Sequence, residues 1–255
     1  MELSWRTKKQ LSFMGIFMVV ILLASGLLLY KTIAPASCTD GKLNQDEEGV
    51  DCGGVSCTPC ITAAARDVTV LWTRFFEVRP GLYDVAALVE NSNQEVGARA
   101  VPYSFELTDE RGLRIMRVKG DAYILPNERF LVFASNLETG IRTPIRMAFE
   151  MDDPVWEVIP EQDLPLTIVR RERMFDEDRP RLIVTLANNT FKDINSVDVS
   201  VVISDSENNA VGTAVSHIDI VPDSSTADAL FIWPRPFART PVDIEIFVRQ
   251  NPWKL

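Results

Sequence analysis

The most constraining feature of this sequence is an internal repeat after residue 67. Four short landmarks occur twice in the same order, at separations of 97, 96, 96 and 97 residues. The pairs are Val89-Glu90-Asn91 with Leu186-Ala187-Asn188, Leu107-Thr108-Asp109 with Ile203-Ser204-Asp205, Leu125-Pro126 with Val221-Pro222, and Pro144-Ile145-Arg146-Met147 with Pro241-Val242-Asp243-Ile244. One register kept over such a span indicates a tandem duplication of a domain about 90 residues long.

Both copies carry the alternating pattern of β-strands. Apolar and polar side chains alternate from Val101 to Thr108 and again from Val197 to Ser204, so that one face packs while the other meets water. Pro102 lacks an N–H, which suggests that its strand lies at a sheet edge. Short strands separated by turns, in copies of this length, predict two tandem immunoglobulin-like β-sandwiches and an all-β fold.

Each predicted sandwich needs its own apolar core. In the first copy we expect this core to contain Trp72, Val85, Val89, Tyr103, Phe105, Leu107, Val132, Met147 and Phe149. In the second copy we expect it to contain Val184, Leu186, Val199, Val201, Ile203, Phe231, Ile244 and Ile246. The disulfide of antibody domains is absent, because no cysteine follows Cys60.

An uncharged apolar run from Leu11 to Tyr30 precedes these domains. As a helix it is about 30 Å long, which matches the hydrocarbon core of a bilayer. Arg6, Lys8 and Lys9 precede the run, and only Lys31 follows it closely. The positive-inside rule therefore predicts a single-pass signal anchor, with the N-terminus in the cytoplasm and the remaining chain outside the cell membrane.

Two alternatives to an uncleaved anchor remain open. Ala34-Pro35-Ala36 has the small-x-small form that signal peptidase accepts, although the apolar run is longer than the usual signal-peptide core. Cys38 could also be the acylated cysteine of a lipoprotein, although Pro35 stands where such sites have an aliphatic residue.

All four cysteines, Cys38, Cys52, Cys57 and Cys60, lie in one short polar segment. Outside the cytoplasm such clustering predicts two disulfides, and three connectivities are compatible with the sequence. A zinc site is the alternative, but the spacing lacks the paired C-x2-C knuckles that favour zinc.

The same segment is rich in oxygen-bearing side chains. Asp40, Asn44, Glu47 and Asp51 are candidate ligands of a calcium ion, because calcium prefers six to eight oxygen ligands. The pattern is not that of an EF-hand, and binding would be weak. A solvated acidic loop without a cofactor is the simpler interpretation.

The segment from Cys38 to Cys60 resembles a cysteine-rich motif of bacterial surface proteins, C-x-D-G-x-x-N-x-x-E-x-G-x-D-C-G-G-x-C-x-x-C. The shared residues are Cys38, Asp40, Gly41, Asn44, Glu47, Gly49, Asp51, Cys52, Gly53, Gly54, Cys57 and Cys60. The chain departs from the motif once, where Val55-Ser56 replace a single residue. The resemblance implies an exported protein associated with the cell surface.

The repeats resemble a membrane-associated β-sandwich family named for its F-x-L-Y-D signature. Phe105, Leu107 and Asp109 match that signature, with Thr108 in place of Tyr. The second copy has Val201, Ile203 and Asp205 at these places, and both copies keep an upstream asparagine, Asn91 or Asn188. The resemblance implies a binding or spacer module of bacterial envelope proteins.

A proline-rich stretch, Met151 to Leu166, separates the copies and predicts a semi-rigid connection. We expect Trp156 to dock onto a neighbouring sandwich, and Trp233 to cap a sandwich end. A binding role for Trp156, Trp233 and Phe237 is the alternative. The predicted divisions are a cytoplasmic tail (1–10), an anchor (11–30), a disulfide-rich stalk (31–66), the first sandwich (67–151), the connection (152–166), the second sandwich (167–250) and a tail (251–255).

Catalytic residues are scarce in this sequence. The single histidine, His217, is adjacent to Ser216 on a predicted strand, where neighbouring side chains point to opposite faces. No nucleotide-binding, zinc-protease or serine-hydrolase motif occurs. We therefore expect no enzymatic activity, and a hydrolase that uses two carboxylates is the remaining catalytic alternative.

The net charge of −10 argues against nucleic acid as a partner. Together these features predict a membrane-anchored, extracytoplasmic module with a binding or structural role, and a protein partner in the cell envelope or at the surface. An adhesin that recognises a protein or glycan through its sandwich loops is the alternative.

Overall fold

The computed structural model describes residues 5–33, 38–43, 46–159, 164–176 and 178–254, and for Lys8 and residues 28–33 the backbone alone. The chain divides into two compact units, Met1–Ala64 and Ala65–Leu255. The first unit contains a long apolar helix and the cysteine-rich segment, and the second contains the two sandwiches.

Helix α1 (Trp5–Ile33) contains the predicted anchor. Its described apolar side chains are exposed, including Phe13, Phe17 and Leu22. By length and composition, this helix could cross a membrane. The candidate cleavage sequence Ala34-Pro35-Ala36 lies outside the described residues.

Two disulfides cross-link the cysteine-rich segment, Cys38–Cys57 and Cys52–Cys60. The structure thus selects one of the three connectivities that the sequence left open. Gly54 has a positive φ of 72°, and a Cβ there would lie 2.1 Å from the Asp46 carbonyl oxygen. Glycine is required at this turn, which leads into the short helix α2 (Cys60–Ala63).

The first sandwich is formed by β1 (Thr69–Arg79), β2 (Leu82–Asn91), β3 (Val96–Thr108), β4 (Arg114–Ile124), β5 (Glu128–Glu138), β6 (Arg146–Met151) and β7 (Glu157–Val158). One sheet has the order β1-β2-β5 and the facing sheet has the order β4-β3-β6, with β7 paired to the start of β3. These strand pairs are all antiparallel.

The second sandwich is formed by β8 (Leu166–Met174), β9 (Arg181–Asn188), β10 (Ile194–Ser204), β11 (Ala210–Val221), β12 (Thr226–Ile232) and β13 (Asp243–Gln250). Its sheets have the orders β12-β9-β8 and β11-β10-β13. These orders repeat those of the first sandwich strand for strand, from β1 with β8 to β6 with β13. The two tandem immunoglobulin-like sandwiches predicted from the sequence are therefore confirmed.

The core predictions hold with one exception. All predicted second-copy residues are buried in one cluster or pack against it, and so are all those of the first copy except Trp72. Trp72 packs instead into a separate cluster with Leu88. The prediction for Trp72 was wrong because the strand alternates faces, and both faces of this sheet are covered.

The prediction of an edge strand at Pro102 was also wrong, because β3 is the central strand of its sheet. The Pro102 carbonyl accepts a hydrogen bond from the Asp152 N–H, immediately beyond the end of β6 at Met151. The proline nitrogen faces the same side, where β6 has already ended. The missing donor therefore falls just beyond the last β3-β6 pair, Tyr103 with Met151, and leaves that ladder intact.

The repeated asparagines organise the same loop in both copies. Asn91 is 1% exposed, and its amide donates to the carbonyls of Val96 and Leu125. Asn188, also 1% exposed, donates to the carbonyls of Lys192 and Val221. Each side chain thus satisfies buried backbone groups where a strand gives way to a loop.

The repeated aspartates have an equally structural role. Asp109 accepts hydrogen bonds from the Arg111 and Leu113 N–H groups and forms an ion pair with Arg142. The Arg142 guanidinium holds the pKa of Asp109 below its usual value, and the backbone hydrogen bonds act in the same direction.

In the second copy, Asp205 accepts from the Glu207 and Asn209 N–H groups and pairs with Arg239. The Asn209 N–H is the main cause of the lowered pKa of Asp205, and the Arg239 guanidinium adds to it. The repeated aspartate therefore fastens a turn to the loop that precedes β6 in the first sandwich and β13 in the second.

The two sandwiches dock through a third apolar cluster. Its buried members are Ala86, Leu88, Leu131, Val202 and Ala210, and its partly buried members are Trp72, Phe76, Phe133 and Phe247. These residues come from sheet β1-β2-β5 of the first sandwich and sheet β11-β10-β13 of the second. The central strands β2 and β10 therefore bury both of their faces, and the four sheets stack as layers.

A buried ion pair fixes this interface at one end. Arg249 of β13 binds Glu128 of β5 through two hydrogen bonds of 2.6 and 2.9 Å, and the side chains are 11% and 14% exposed. The same guanidinium donates to the Tyr123 carbonyl and lies over the rings of Tyr123 and Phe130. Burial raises the pKa of Glu128, and Arg249 opposes that shift.

Replacing Arg249 by methionine should lower the free energy of unfolding of the full chain by about 3–5 kcal/mol, because Glu128 would remain buried without its cation. The double variant R249M/E128L should recover most of that loss. Denaturant titration followed by tryptophan fluorescence measures both values.

Arg129 and Glu245 form the matched control, since this pair also joins the sandwiches but its side chains are 49% and 32% exposed. R129M should cost no more than about 1 kcal/mol. Equal losses for R249M and R129M would contradict a special role for the buried pair.

Replacing Asp109 or Asp205 by asparagine should destabilise the chain at neutral pH and have less effect in acid. Both carboxyl groups have a lowered pKa in the folded state, so their contribution is present above the unfolded value of about 3.9 and is lost as the pH falls through the folded pKa. Urea midpoints at pH 7, 5 and 3 measure the effect.

The exposed D153N variant is the control for this titration and should follow the wild type at each pH. A constant difference between D205N and the wild type across the pH range would show that the carboxylate charge is not what stabilises the turn.

Candidate ligand-binding cleft between the sandwiches

A cleft of about 960 Å³ opens beside the docked sheets. Strand β1 forms one wall and β11 the other, and both are edge strands of their sheets. The loop 232–239, which follows β12, completes the lining. The cleft therefore combines residues from both sandwiches and depends on their docking.

Aromatic side chains of the loop are fixed against the second sandwich. The indole N–H of Trp233 donates to the Thr213 carbonyl at 3.2 Å. The Trp233 ring lies nearly parallel to Phe231, with centroids 6.5 Å apart, and meets Phe237 edge-on at 5.1 Å. The loop thus packs on the core below it.

Gly212 of β11 allows this packing. A Cβ at Gly212 would lie 2.5 Å from Cε1 of Phe237 and 3.3 Å from Nε1 of Trp233. Because glycine has no side chain, the two rings can close over the strand, and one side of the cleft gains a firm wall.

Three arginines line the cleft, and their partners differ. Arg239 pairs with Asp205 and Glu207, and Arg235 pairs with Glu77. Arg74 donates to the amide oxygen of Asn209 at 3.0 Å. Among the described residues, no carboxylate pairs with the half-buried Arg74. Its hydrogen-bond partner is therefore a neutral amide, whereas the partners of the other two arginines are carboxylates.

Burial affects two other polar residues of the lining, Thr213 and Asp84. The Thr213 hydroxyl is buried and has no hydrogen-bond partner in the described part of the chain. Thr213 lies opposite Val202 on the sheet face that meets the first sandwich. Burial raises the pKa of Asp84, although its carboxylate accepts the Asn136 N–H.

The structure separates the three aromatic residues that the sequence proposed for binding. Trp233 and Phe237 line the cleft, and both also pack against the core of the second sandwich. Trp156 packs instead against the core of the first sandwich and is not part of the cleft lining.

The residues of the β1 wall, among them Trp72, Arg74 and Phe76, were missed as site residues by the sequence reasoning. A signal for them exists in β2. Its segment Val85 to Val89 is continuously apolar, whereas a strand with one wet face should alternate. Such a run indicates that the second face of the sheet is covered.

Of the candidate calcium ligands, Asp51 has a structural role in the turn of its loop. The Asp51 carboxylate accepts the N–H groups of Asp40 and Gly41 and so closes the turn beside Cys38. Asn44 lies outside the described residues. Within the residues that are described, no group of three or more His, Cys, Asp or Glu side chains is arranged to hold a metal ion.

His217 has two acidic neighbours, Asp198 at 2.7 Å and Asp219 at 3.6 Å. It lies on β11 opposite Asp198 of β10, while Ser216 pairs with Val199 on the other face. Ser216 and His217 therefore do not form a nucleophile and base pair, as their positions in the sequence indicated.

No protein-family model matches the chain, and no curated protein matches it. Among solved structures, red sea bream transglutaminase is similar over 71% of this chain, with 11% sequence identity and a TM-score of 0.25. The match covers 29% of that structure, so the chain spans less than a third of its length. A likeness at this TM-score carries no argument about function.

Proposed function

We propose that this protein is a membrane-anchored, extracytoplasmic and non-enzymatic binding module of the cell envelope, whose ligand enters the cleft between the sandwiches. The cleft is the observation that carries the proposal. Its walls come from two domains held together by an apolar cluster and the buried Arg249–Glu128 pair. Clefts at domain interfaces are preferred ligand sites, and this one needs no rearrangement to form.

The first unit supports the proposed location. Helix α1 is apolar over a length that suits a bilayer, and basic residues precede its apolar run. Two disulfides follow the helix, and such bonds persist in oxidising compartments. We therefore place the N-terminus in the cytoplasm and the sandwiches outside.

An adhesin that binds through its loops is the second candidate, and one feature favours it. Leu113, Ile141 and Ile145 are exposed on loops of the first sandwich. Arg142, next to Ile141, donates to the Leu113 carbonyl, so these loops lie together. Exposed aliphatic side chains at a sandwich end could contact a partner.

The proposed location predicts the state of the cysteines in intact membranes. Without a reductant, a thiol-reactive polyethylene glycol should add nothing to the wild-type chain, and after reduction it should add four groups. The variant C38S should take one label without reduction, at Cys57, and C60S should take one at Cys52. Four labels on the unreduced wild type would place the segment in a reducing compartment.

The proposed binding role predicts where the chain meets its partner. A photoreactive amino acid at Glu77, which lines the cleft, should give a reproducible cross-linked product in the native membrane. The same probe at Lys119, exposed on β4, is the control and should give none.

The probe placed at Ile141 separates the two candidates. Cross-links from position 77 alone support the cleft, while cross-links from position 141 alone support an adhesive loop end. No product at position 77, with a product at position 141, would overturn the cleft as the binding site.

A further inference from the structure

We propose that the cleft receives an extended acidic peptide segment, which adds as a strand to the free edge of β1 and places a carboxylate against Arg74. This inference rests on the proposed function, because it names the ligand of the same cleft. Peptides commonly bind by strand addition, in which main-chain hydrogen bonds supply affinity and alternate side chains supply specificity.

The edge of β1 is available for pairing. Within the described residues, β1 pairs with β2 alone. The carbonyl of Glu77 accepts Arg235, across the cleft, and therefore points away from β2. Because backbone groups alternate along a regular strand, the N–H and C=O of Thr73 and Phe75 point the same way. These four groups form an open edge.

The opposite wall cannot offer an equivalent edge. The Thr213 carbonyl of β11 already accepts the indole N–H of Trp233. The loop that carries Trp233 and Phe237 packs on the core of the second sandwich and closes that side. The peptide therefore pairs with β1, and β11 contributes side chains to the contact.

The face of β1 that meets the second sandwich determines the peptide's chemistry. Trp72, Arg74 and Phe76 alternate on this face, since they pair with Leu88, Ala86 and Asp84 of β2. Side chains directly opposite in neighbouring strands lie on the same face. An added strand thus places apolar residues beside Trp72 and Phe76, and its central residue beside Arg74.

Charge complementarity makes that central residue acidic. Arg74 is half-buried, and its partner is the neutral amide of Asn209. A carboxylate beside it would form a charge-assisted hydrogen bond in a partly desolvated site. The expected pattern is apolar-x-acidic-x-apolar, about 13 Å from end to end.

A glycan is a poorer occupant of this cleft. Sugar rings stack on an open aromatic face, but Phe231 lies nearly parallel to the ring of Trp233. The indole N–H of Trp233 is also engaged by Thr213. The ring and its donor are thus committed to the protein, while the edge of β1 remains open.

A peptide array tests the inference with the full chain in detergent micelles. One set of seven-residue peptides, blocked at both termini, carries Asp or Glu between apolar residues in the expected pattern. The matched set carries Asn or Gln at the central position. The acidic set should bind more tightly, by about tenfold or more, and R74Q should remove that difference. Arg79 on the same strand lies outside the cleft lining, so R79Q should leave it intact.

Backbone methylation of the best acidic peptide tests the strand pairing. N-methylation of the residues that flank the central acid should abolish binding, because their N–H groups face Thr73 and Phe75. N-methylation of the acid itself should be tolerated, because its N–H points away from β1. Equal effects at all positions would overturn strand addition.

The remaining outcomes decide between this inference and the proposed function. No preference for the acidic set, or a preference that R74Q leaves unchanged, overturns the acidic peptide. If position 77 still cross-links a partner in the membrane, the binding module stands and only its ligand is wrong. If the same micelles bind a glycan array and no peptide, the acidic peptide is likewise overturned and the binding module stands.

Discussion

Burial of both faces of β2 and β10 is the constraint on which the rest of this structure depends. In an isolated sandwich each sheet has one buried face and one solvent-exposed face. Here Ala86 and Leu88 make the outer face of β2 apolar, and Val202 makes the outer face of β10 apolar. Docking these faces removes them from water and creates the interface. The buried Arg249–Glu128 pair fixes its geometry, since its bidentate hydrogen bonds require one relative placement of the sandwiches. The cleft exists only because that placement is fixed.

The asparagines and aspartates that occur in both copies explain the fold and leave the ligand open. Asn91 and Asn188 satisfy carbonyl groups at one end of each sandwich, and Asp109 and Asp205 fasten turns at the other. All four side chains bind groups of their own domain: the asparagines bind backbone groups, and the aspartates bind backbone N–H groups and one arginine each. The proposed ligand site instead uses residues that differ between the copies. Trp72, Arg74 and Phe76 of the first copy correspond to Arg170, Glu172 and Met174 of the second, as the strand pairings show.

The sequence was sufficient to predict the duplication, the sandwiches and nearly all of both cores, because alternation and repeat register are local patterns. The sequence-based prediction failed at the interface where the two sandwiches dock, because the residues that meet there are far apart in the sequence. Trp72 was assigned to a core because an apolar residue on a strand was expected to face inward, although it faces the second sandwich. The cleft itself was not predicted, although Trp233 and Phe237 were considered for a binding role and Arg74 was not. An arginine on a strand is ordinary, and Arg74 is notable only because no carboxylate pairs with it in the described part of the chain.

The docking also has a consequence for how such repeats could be strung together. The interface is heterologous, because it joins the β1-β2-β5 sheet of one copy to the β11-β10-β13 sheet of the next, and these are not equivalent sheets. Head-to-tail contacts of this kind can continue from copy to copy if the outer sheet at each end also presents an apolar face. Here the outward face of β3 carries the ion pairs Arg114–Glu106 and Arg117–Glu150, and the far sheet carries Arg170–Glu172. Charged outer faces of this type resemble the polar caps of solenoid proteins, and they disfavour docking of a further copy in the same way.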